Sequence, residues 1–159
     1  MTSKDPKHYF LSIEDLKEGQ SWQETIHITS NLVETFMSLT QDQAPVHMDQ
    51  NHAMLMGYEK TIVHGFLVGT GYSKILGMFL PGSNTVIHKI ILEMLRPVFV
   101  NDFLTYKVAV SRIIPAVHST LLDLSAVNQN NQLVNKGSAT CVFKSLSFIN
   151  ICVIHYDEC

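Results

Sequence analysis

The sequence is poor in cysteine and lacks both basic clusters and long apolar runs. Its three cysteines, Cys141, Cys152 and Cys159, follow no metal-binding spacing and form no CxxC pair. An odd number of such residues is more typical of a reducing compartment than of a disulfide scaffold. We therefore expect free thiols.

Two further absences limit the class of protein. No run of about 18 apolar residues occurs, and the N-terminal segment MTSKDPKHYFLSIEDL is charged where a signal peptide needs an apolar core. A net charge of −3 without any basic run argues against a nucleic-acid surface. We expect a soluble, cytoplasmic protein that binds neither nucleic acid nor membrane.

The length and composition fit one domain. The chain has 159 residues, of which 46% are apolar, and chains of roughly 150 residues bury about two-thirds of their extended surface. We expect a single domain over residues 1–159, with a polar arm at 1–8 and a C-terminal extension at 146–159.

The periodicity of apolar residues predicts one strand, then helices, then four strands. Asn31 and Glu34 form a plausible capping pair for the first helix, and Gly57 a left-handed end for a short helix from Asp49. In the strand predicted for Thr85–Leu95, one face carries Val86, His88, Ile90, Leu92 and Met94. The other strands are predicted at Ser21–Thr29, at Phe103–Arg112, through Leu122–Ala126 and through Ala139–Phe143.

A long helix candidate, VHGFLVGTGYSKILGMFLPG, opens at His64-Gly65 and stops at Pro81-Gly82. A helix that is apolar on nearly all sides is usually buried, which favours an α+β fold with an antiparallel sheet wrapped around it. Each glycine in a helix interior costs roughly 1 kcal/mol relative to alanine. We infer that Gly69, Gly71 and Gly77 allow another backbone to come close.

An acid and an imidazole flank a proline in the segment QDQAPVHMD, on what we expect to be an ordered loop. Asp42 and His47, if held within reach of one water, could take a proton from it and return one elsewhere. The alternative is that Asp42 is a turn or cap residue and that His47 is a surface histidine or a core histidine with its hydrogen bonds satisfied. The N–H of Gly65, at a helix start, could bind a carbonyl oxygen or serve only helix entry. We predict no cofactor. We also predict no metal site, because the remaining histidines are scattered: His27, His52, His88 and His118.

These segments resemble a known family. LTQDQAPVHMD is similar to the SGDxNPxHxD motif of the MaoC-like (R)-specific enoyl-CoA hydratases, and VHGFLVGTGYSKILGMFLPG is similar to their VHGMLxxSxxSxLLGxxLPG segment. LRPVFVNDFLTYKVAV resembles the strand pair around PVxxGD, and GSATCVF resembles the final strand. The likeness covers roughly residues 9–145, without a gap between the two histidine-containing motifs.

The resemblance implies a hot dog fold, usually a homodimer or larger even assembly with active sites at the subunit interface. It places Asp42 and His47 on the catalytic acid–base pair, Gly65 on the N–H that binds the thioester carbonyl, and Ser73 on a serine of the acyl pocket. The implied reaction is addition of water to a trans-2-enoyl-CoA, or the reverse dehydration. The implied partner is an acyl-CoA or acyl-carrier thioester.

Three residues depart from the family pattern. Gln41 replaces a glycine, so a positive φ there would be strained. Ala44 replaces an asparagine that orders the loop, and Asn101 replaces a turn glycine, which is mild because asparagine tolerates left-handed geometry. Two other functions therefore stay open, an acyl-CoA thioesterase and a non-catalytic acyl-thioester-binding module.

Overall fold

A computed structural model describes residues 11–144. The predicted arm at 1–8, the extension at 146–159 and two of the cysteines, Cys152 and Cys159, lie outside the described residues. Over residues 11–144, no helix combines the length and the apolar character needed to cross a membrane.

The elements follow the predicted order. A 3₁₀ turn at Ile13–Asp15 precedes strand β1, Ser21–His27. Four helices follow: α1 at Ser30–Thr40, α2 at Pro45–Met48, α3 at Gln50–Leu55 and α4 at Gly65–Met78. The remaining strands are β2 at Thr85–Met94, β3 at Phe103–Ile114, β4 at Ser119–Val127 and β5 at Leu133–Phe143.

The strands form one antiparallel five-stranded sheet in the order β1-β3-β4-β5-β2. Alternate residues of β3, β4 and β5 are buried beneath α4, and their neighbours in sequence face outward. Three residues of α4, Tyr72, Ile75 and Leu76, are fully buried in the same core. The predicted α+β arrangement, a sheet wrapped around one helix, is confirmed.

Two tyrosines fix α4 on the sheet. The rings of Tyr72 on α4 and Tyr106 on β3 meet edge to face, with centroids 5.0 Å apart. The Tyr72 hydroxyl donates to Oδ1 of Asn135 on β5 at 2.5 Å, and the Tyr106 hydroxyl donates to the carbonyl oxygen of Val68 at 2.8 Å. Burial raises the pKa of both phenols far above its ordinary value, so both stay protonated donors. The rotation and height of the helix over the sheet are thereby set.

The predicted cap of α1 was wrong. The helix begins one residue before Asn31, and the Thr29 side chain accepts a hydrogen bond from the backbone N–H of Leu32 at 3.3 Å. Thr29 has an extended backbone, with φ −84° and ψ 158°, which is the geometry of an N-cap residue. Sequence spacing alone did not distinguish these two neighbouring polar starts.

The predicted common face of β2 was also wrong. The register with β5 shifts between Ile87, opposite Cys141, and Lys89, opposite Thr140. This bulge at His88 reverses the alternation of side chains, because one extra residue moves all later ones to the other face. Ile87 therefore shares the face of the three apolar residues that follow the bulge, Ile90, Leu92 and Met94.

The glycines of α4 have different neighbours from those inferred. A Cβ on Gly71 would overlap the ring of Tyr106, and one on Gly69 would lie 3.1 Å from Cδ1 of Leu92. Around Gly77, no described atom outside its chain neighbours and the adjacent backbone of α4 lies within 4 Å of such a Cβ. The close approach is therefore made by side chains of the sheet, and only at two of the three glycines.

This difference predicts opposite effects of two alanine substitutions in one helix. Gly71→Ala should lower the free energy of unfolding by about 1–3 kcal/mol, because the methyl group forces Tyr106 to move. Gly77→Ala should raise it by about 0.5–1 kcal/mol, because alanine loses less conformational freedom on folding. Urea unfolding followed by circular dichroism measures both, and equal shifts of the two variants would contradict the packing at Gly71.

Candidate active site

Asp42 follows a strained helix end. Gln41, the C-terminal cap of α1, has a left-handed backbone with φ 58°. This is the positive φ for which we expect strain at a residue other than glycine. Its N–H donates to the Met37 carbonyl oxygen at 2.8 Å, and its side-chain amide donates to the Ser38 carbonyl oxygen at 2.7 Å. These bonds offset a penalty of about 1–2 kcal/mol for a side chain in this conformation. Asn101 likewise has a positive φ, 75°, in the turn before β3.

The segment from Asp42 to His47 begins without regular structure and continues into the one-turn helix α2. A carboxylate oxygen of Asp42 accepts a hydrogen bond from the N–H of Ala44 at 3.2 Å. Pro45 then occupies the first position of α2, where its fixed φ suits a helix. The prediction of a loop is correct for Asp42 and wrong for His47, which lies in this one-turn helix.

The ring of His47 is oriented by a backbone carbonyl. Its Nδ1 lies 2.8 Å from the carbonyl oxygen of Ile62. A carbonyl oxygen only accepts, so Nδ1 must carry the proton in this bond. The other ring nitrogen, Nε2, is then the one left for chemistry.

A second histidine packs directly on the first. His64, the residue that caps the start of α4, is 2% exposed, and its ring lies 3.8 Å from that of His47 between centroids. Its Nε2 is 3.1 Å from the carbonyl oxygen of Asp42. Its Nδ1 is buried without a partner among residues 11–144.

These three side chains converge. One carboxylate oxygen of Asp42 and one ring nitrogen each of His47 and His64 lie within 4.8 Å of one another. Hydrogen bonds to water are about 2.8 Å long, so one water could bridge two such groups. Two imidazoles and a carboxylate are also ligands that transition metals bind. The prediction of no metal site omitted His64, and it stays a prediction.

The backbone of Gly65 faces the same place. Gly65 is the first residue of α4, and over residues 11–144 its N–H donates to no acceptor. The first N–H groups of a helix lack partners within it and lie at the positive end of its dipole. The site therefore offers a free donor beside the carboxylate and the two imidazoles.

A cavity of about 470 Å³ joins these groups to an apolar surface. Its polar end contains Asp42, His47 and His64, and its other end lies between α4 and β2, where it is lined by Phe66, Gly69, Ile90, Leu92 and Met94. A second cavity of about 230 Å³ also contacts His47, Gly65 and Met94. Gly65 and His47 thus line both cavities.

Ser73 is not among the residues that line either cavity in the described structure. It lies on the exposed side of α4, one helical turn beyond Gly69. Leu92 closes against Gly69 at this point, because a Cβ on that glycine would lie 3.1 Å from Cδ1 of the leucine. The structure brings Asp42, His47 and Gly65 together and leaves Ser73 outside the group.

Sequence reasoning missed two contributors. In the sequence His64 is visible only as part of the helix entry, and Ile62 contributes through a carbonyl that no side-chain pattern reveals. The one available signal was that His64 directly precedes Gly65. The stacking of two rings separated by 17 positions is a tertiary contact, which sequence periodicity does not predict.

Comparisons with known proteins identify the family and agree with the architecture described above. A family model described as MaoC like domain matches residues 14–121. The (R)-specific enoyl-CoA hydratase of Rhodospirillum rubrum is 32% identical over 108 residues, which cover 68% of this chain and 73% of that protein. A mitochondrial 3-hydroxyacyl-[acyl-carrier-protein] dehydratase of Arabidopsis thaliana is 26% identical over 137 residues, covering 84% of this chain and 81% of the relative.

A solved structure, the (R)-hydratase from A. caviae involved in PHA biosynthesis, superposes with a TM-score of 0.77. It is 28% identical and covers 82% of this chain and 99% of its own. The fold is therefore the hot dog fold, as the resemblance implied. The chain belongs to the MaoC-like domain family, and the relatives that it matches are hydratases and dehydratases, which are hydro-lyases.

Proposed function

We propose that this protein is an (R)-specific enoyl-CoA hydratase, or 3-hydroxyacyl-thioester dehydratase, that uses Asp42 and His47 as an acid–base pair. The observation that carries the proposal is the convergence of a carboxylate oxygen, an imidazole nitrogen and the free N–H of Gly65 at one end of an apolar cavity. Addition of water to an activated double bond requires these groups together.

The proposed chemistry begins with one water held between Asp42 and His47. Its oxygen bonds to Cβ of the enoyl thioester while the π bond breaks, and Cα gains a proton. One member of the pair takes the proton from the water, and the other member supplies the proton to Cα. Because Nδ1 of His47 donates to Ile62, its Nε2 is the nitrogen that acts in either role.

The negative charge that develops on the thioester oxygen needs a donor. We assign this task to the N–H of Gly65, which lines the cavity beside His47 and has no acceptor in the described structure. The N-terminus of α4 favours an anion there, because its N–H groups and dipole are fixed before the reaction begins.

The proposed substrate is an acyl-CoA or acyl-carrier thioester. Its acyl chain would lie along the apolar end of the larger cavity, between α4 and β2, where Ile90 and Leu92 provide apolar contacts. The role of Ser73 in the acyl pocket stays a proposal. It requires the acyl chain of the substrate to pass the contact between Leu92 and Gly69.

One observation favours the non-catalytic binding module as a second candidate. Gln41 keeps the left-handed conformation before Asp42 at an energetic cost, where the family pattern has glycine.

Loss of the ultraviolet absorbance of crotonyl-CoA in the presence of the parent protein would indicate hydration. Binding without turnover would indicate the module, and release of free CoA thiol would indicate a thioesterase.

We further propose that the protein is a homodimer or a larger even assembly. Strand β2 lies at an edge of the sheet and exposes several apolar side chains, namely Val86, Ile87, Ile90, Ile91 and Met94. Proteins usually pair or cover such an edge. Light scattering at micromolar concentration should give at least twice the chain mass of 17.9 kDa, and a mass of one chain alone would contradict this proposal.

The acid–base pair predicts the effect of two substitutions. His47→Ala and Asp42→Asn should each lower kcat/KM for crotonyl-CoA hydration by at least about a hundredfold, the usual scale for loss of a general acid or base. The matched controls are His27→Ala and Asp123→Asn, since both residues are exposed and line neither cavity. Near-parent activity of a folded His47 or Asp42 variant would eliminate the pair.

The proposed role of Gly65 belongs to its backbone and is tested by deleting the donor. Gly65→Pro removes the N–H, and His64 already has a φ of −56° and a ψ of 129°, which a following proline accepts. Turnover should fall by about 10²–10³, the usual effect of losing one such donor.

Gly65→Ala is the control for that experiment. It keeps the N–H, and its Cβ would lie 3.7 Å from Cγ of Met94, an ordinary contact. The alanine variant should therefore lose much less activity than the proline variant. Equal activity of the parent and a folded Gly65→Pro protein would show that another group binds the thioester carbonyl oxygen.

A further inference from the structure

We propose that His64 is a positioning residue, which holds the Asp42 backbone and the His47 ring at the start of α4 through its Nε2–H tautomer. The tautomer follows from the structure alone, and the catalytic consequence rests on the proposed function. In the proposed mechanism, Asp42 and His47 make the proton transfers, and His64 acts through its contacts with these two residues.

The hydrogen bond of His64 fixes its protonated nitrogen. Nε2 lies 3.1 Å from the carbonyl oxygen of Asp42, which only accepts, so Nε2 must carry the proton. Nδ1 is buried and has no partner over residues 11–144. A proton there would be a donor without an acceptor in a buried site, which folded proteins avoid. Nδ1 is therefore the bare nitrogen.

The ring of His64 also fixes the plane of His47. The two rings stack at 3.8 Å with an angle of 28° between their planes, and the ring of Phe36 lies 5.2 Å from His64. His47 is thus held in one direction by its bond to Ile62 and in another by the face of His64. These two contacts restrict the ring to one orientation, and so they also restrict the direction in which Nε2 faces the cavity.

His64 is covalently joined to the proposed oxyanion donor, because Gly65 follows it in the chain. One residue therefore sets the positions of three groups relative to one another: the Asp42 backbone, the His47 ring and the Gly65 N–H. A displacement of about 1 Å among reacting groups can cost a hundredfold in rate. We expect loss of His64 to act on turnover and to leave substrate binding nearly intact.

The tautomer is measured first, without any substrate. Long-range proton–nitrogen correlation spectra of the ¹⁵N-labelled parent protein at neutral pH should show His64 protonated at Nε2 and bare at Nδ1. Loss of these signals in His64→Gln assigns them to this residue. Protonation at Nδ1, alone or together with Nε2, would overturn the proposal whatever the enzyme activity is.

Two variants then separate the hydrogen bond from the ring contact. His64→Phe keeps a ring against His47 and loses the donor, whereas His64→Gln keeps a donor and loses the ring. Each should lower kcat for crotonyl-CoA hydration by at least about tenfold with a change in KM below about threefold, the pattern of a group that acts on the transition state. Equal losses in kcat and substrate affinity would indicate a general structural defect and would overturn the proposal.

The control is His27→Gln, the same exchange at an exposed histidine of β1. It should keep parent kinetics, and circular dichroism should show that all variants are folded. A folded His64→Phe protein with the kcat of the parent would refute the positioning role. If the parent itself fails to hydrate crotonyl-CoA, the proposed function fails, while the tautomer measurement still decides the state of His64.

Discussion

The packing of α4 on the sheet positions both the core and the candidate site. Gly71 allows the ring of Tyr106 to lie against the helix, and the Tyr106 hydroxyl binds the carbonyl oxygen of Val68. Tyr72 binds Asn135 on β5 in the same layer. Because these contacts lie in the middle of a rigid helix, they also fix its first residue, Gly65. The geometry of the candidate site is therefore determined by packing about one to two helical turns away.

Backbone carbonyls set the tautomers of the two histidines in the candidate site. The Ile62 carbonyl holds the proton of His47 on Nδ1, and the Asp42 carbonyl holds the proton of His64 on Nε2. A side chain in either place could donate as well as accept, and the tautomers would then be less strictly set. The left-handed Gln41 has its place in the same arrangement, since it turns the chain from α1 into Asp42.

Membership in the MaoC-like family and the unusual features of this chain have different physical consequences. The family features are the hot dog fold and the segment order, which bring Asp42, His47 and Gly65 together. The departures at Gln41 and Ala44 act on local backbone energy: the first occupies a left-handed position, and the second begins α2 without a side-chain cap. In the proposed mechanism, such changes would alter how rigidly Asp42 is held. The other two groups of the mechanism, His47 and the N–H of Gly65, would stay the same.

Local periodicity and short motifs were sufficient to predict the α+β class and the order of strands and helices, and they placed Asp42 and His47 close together. Tertiary structure alone decided which glycines face a side chain, where the bulge at His88 reverses β2, and that His64 stacks on His47. Those features arise from contacts between distant parts of the chain. Their distances are set by how α4 packs on the sheet, and no local pattern of residues encodes that packing.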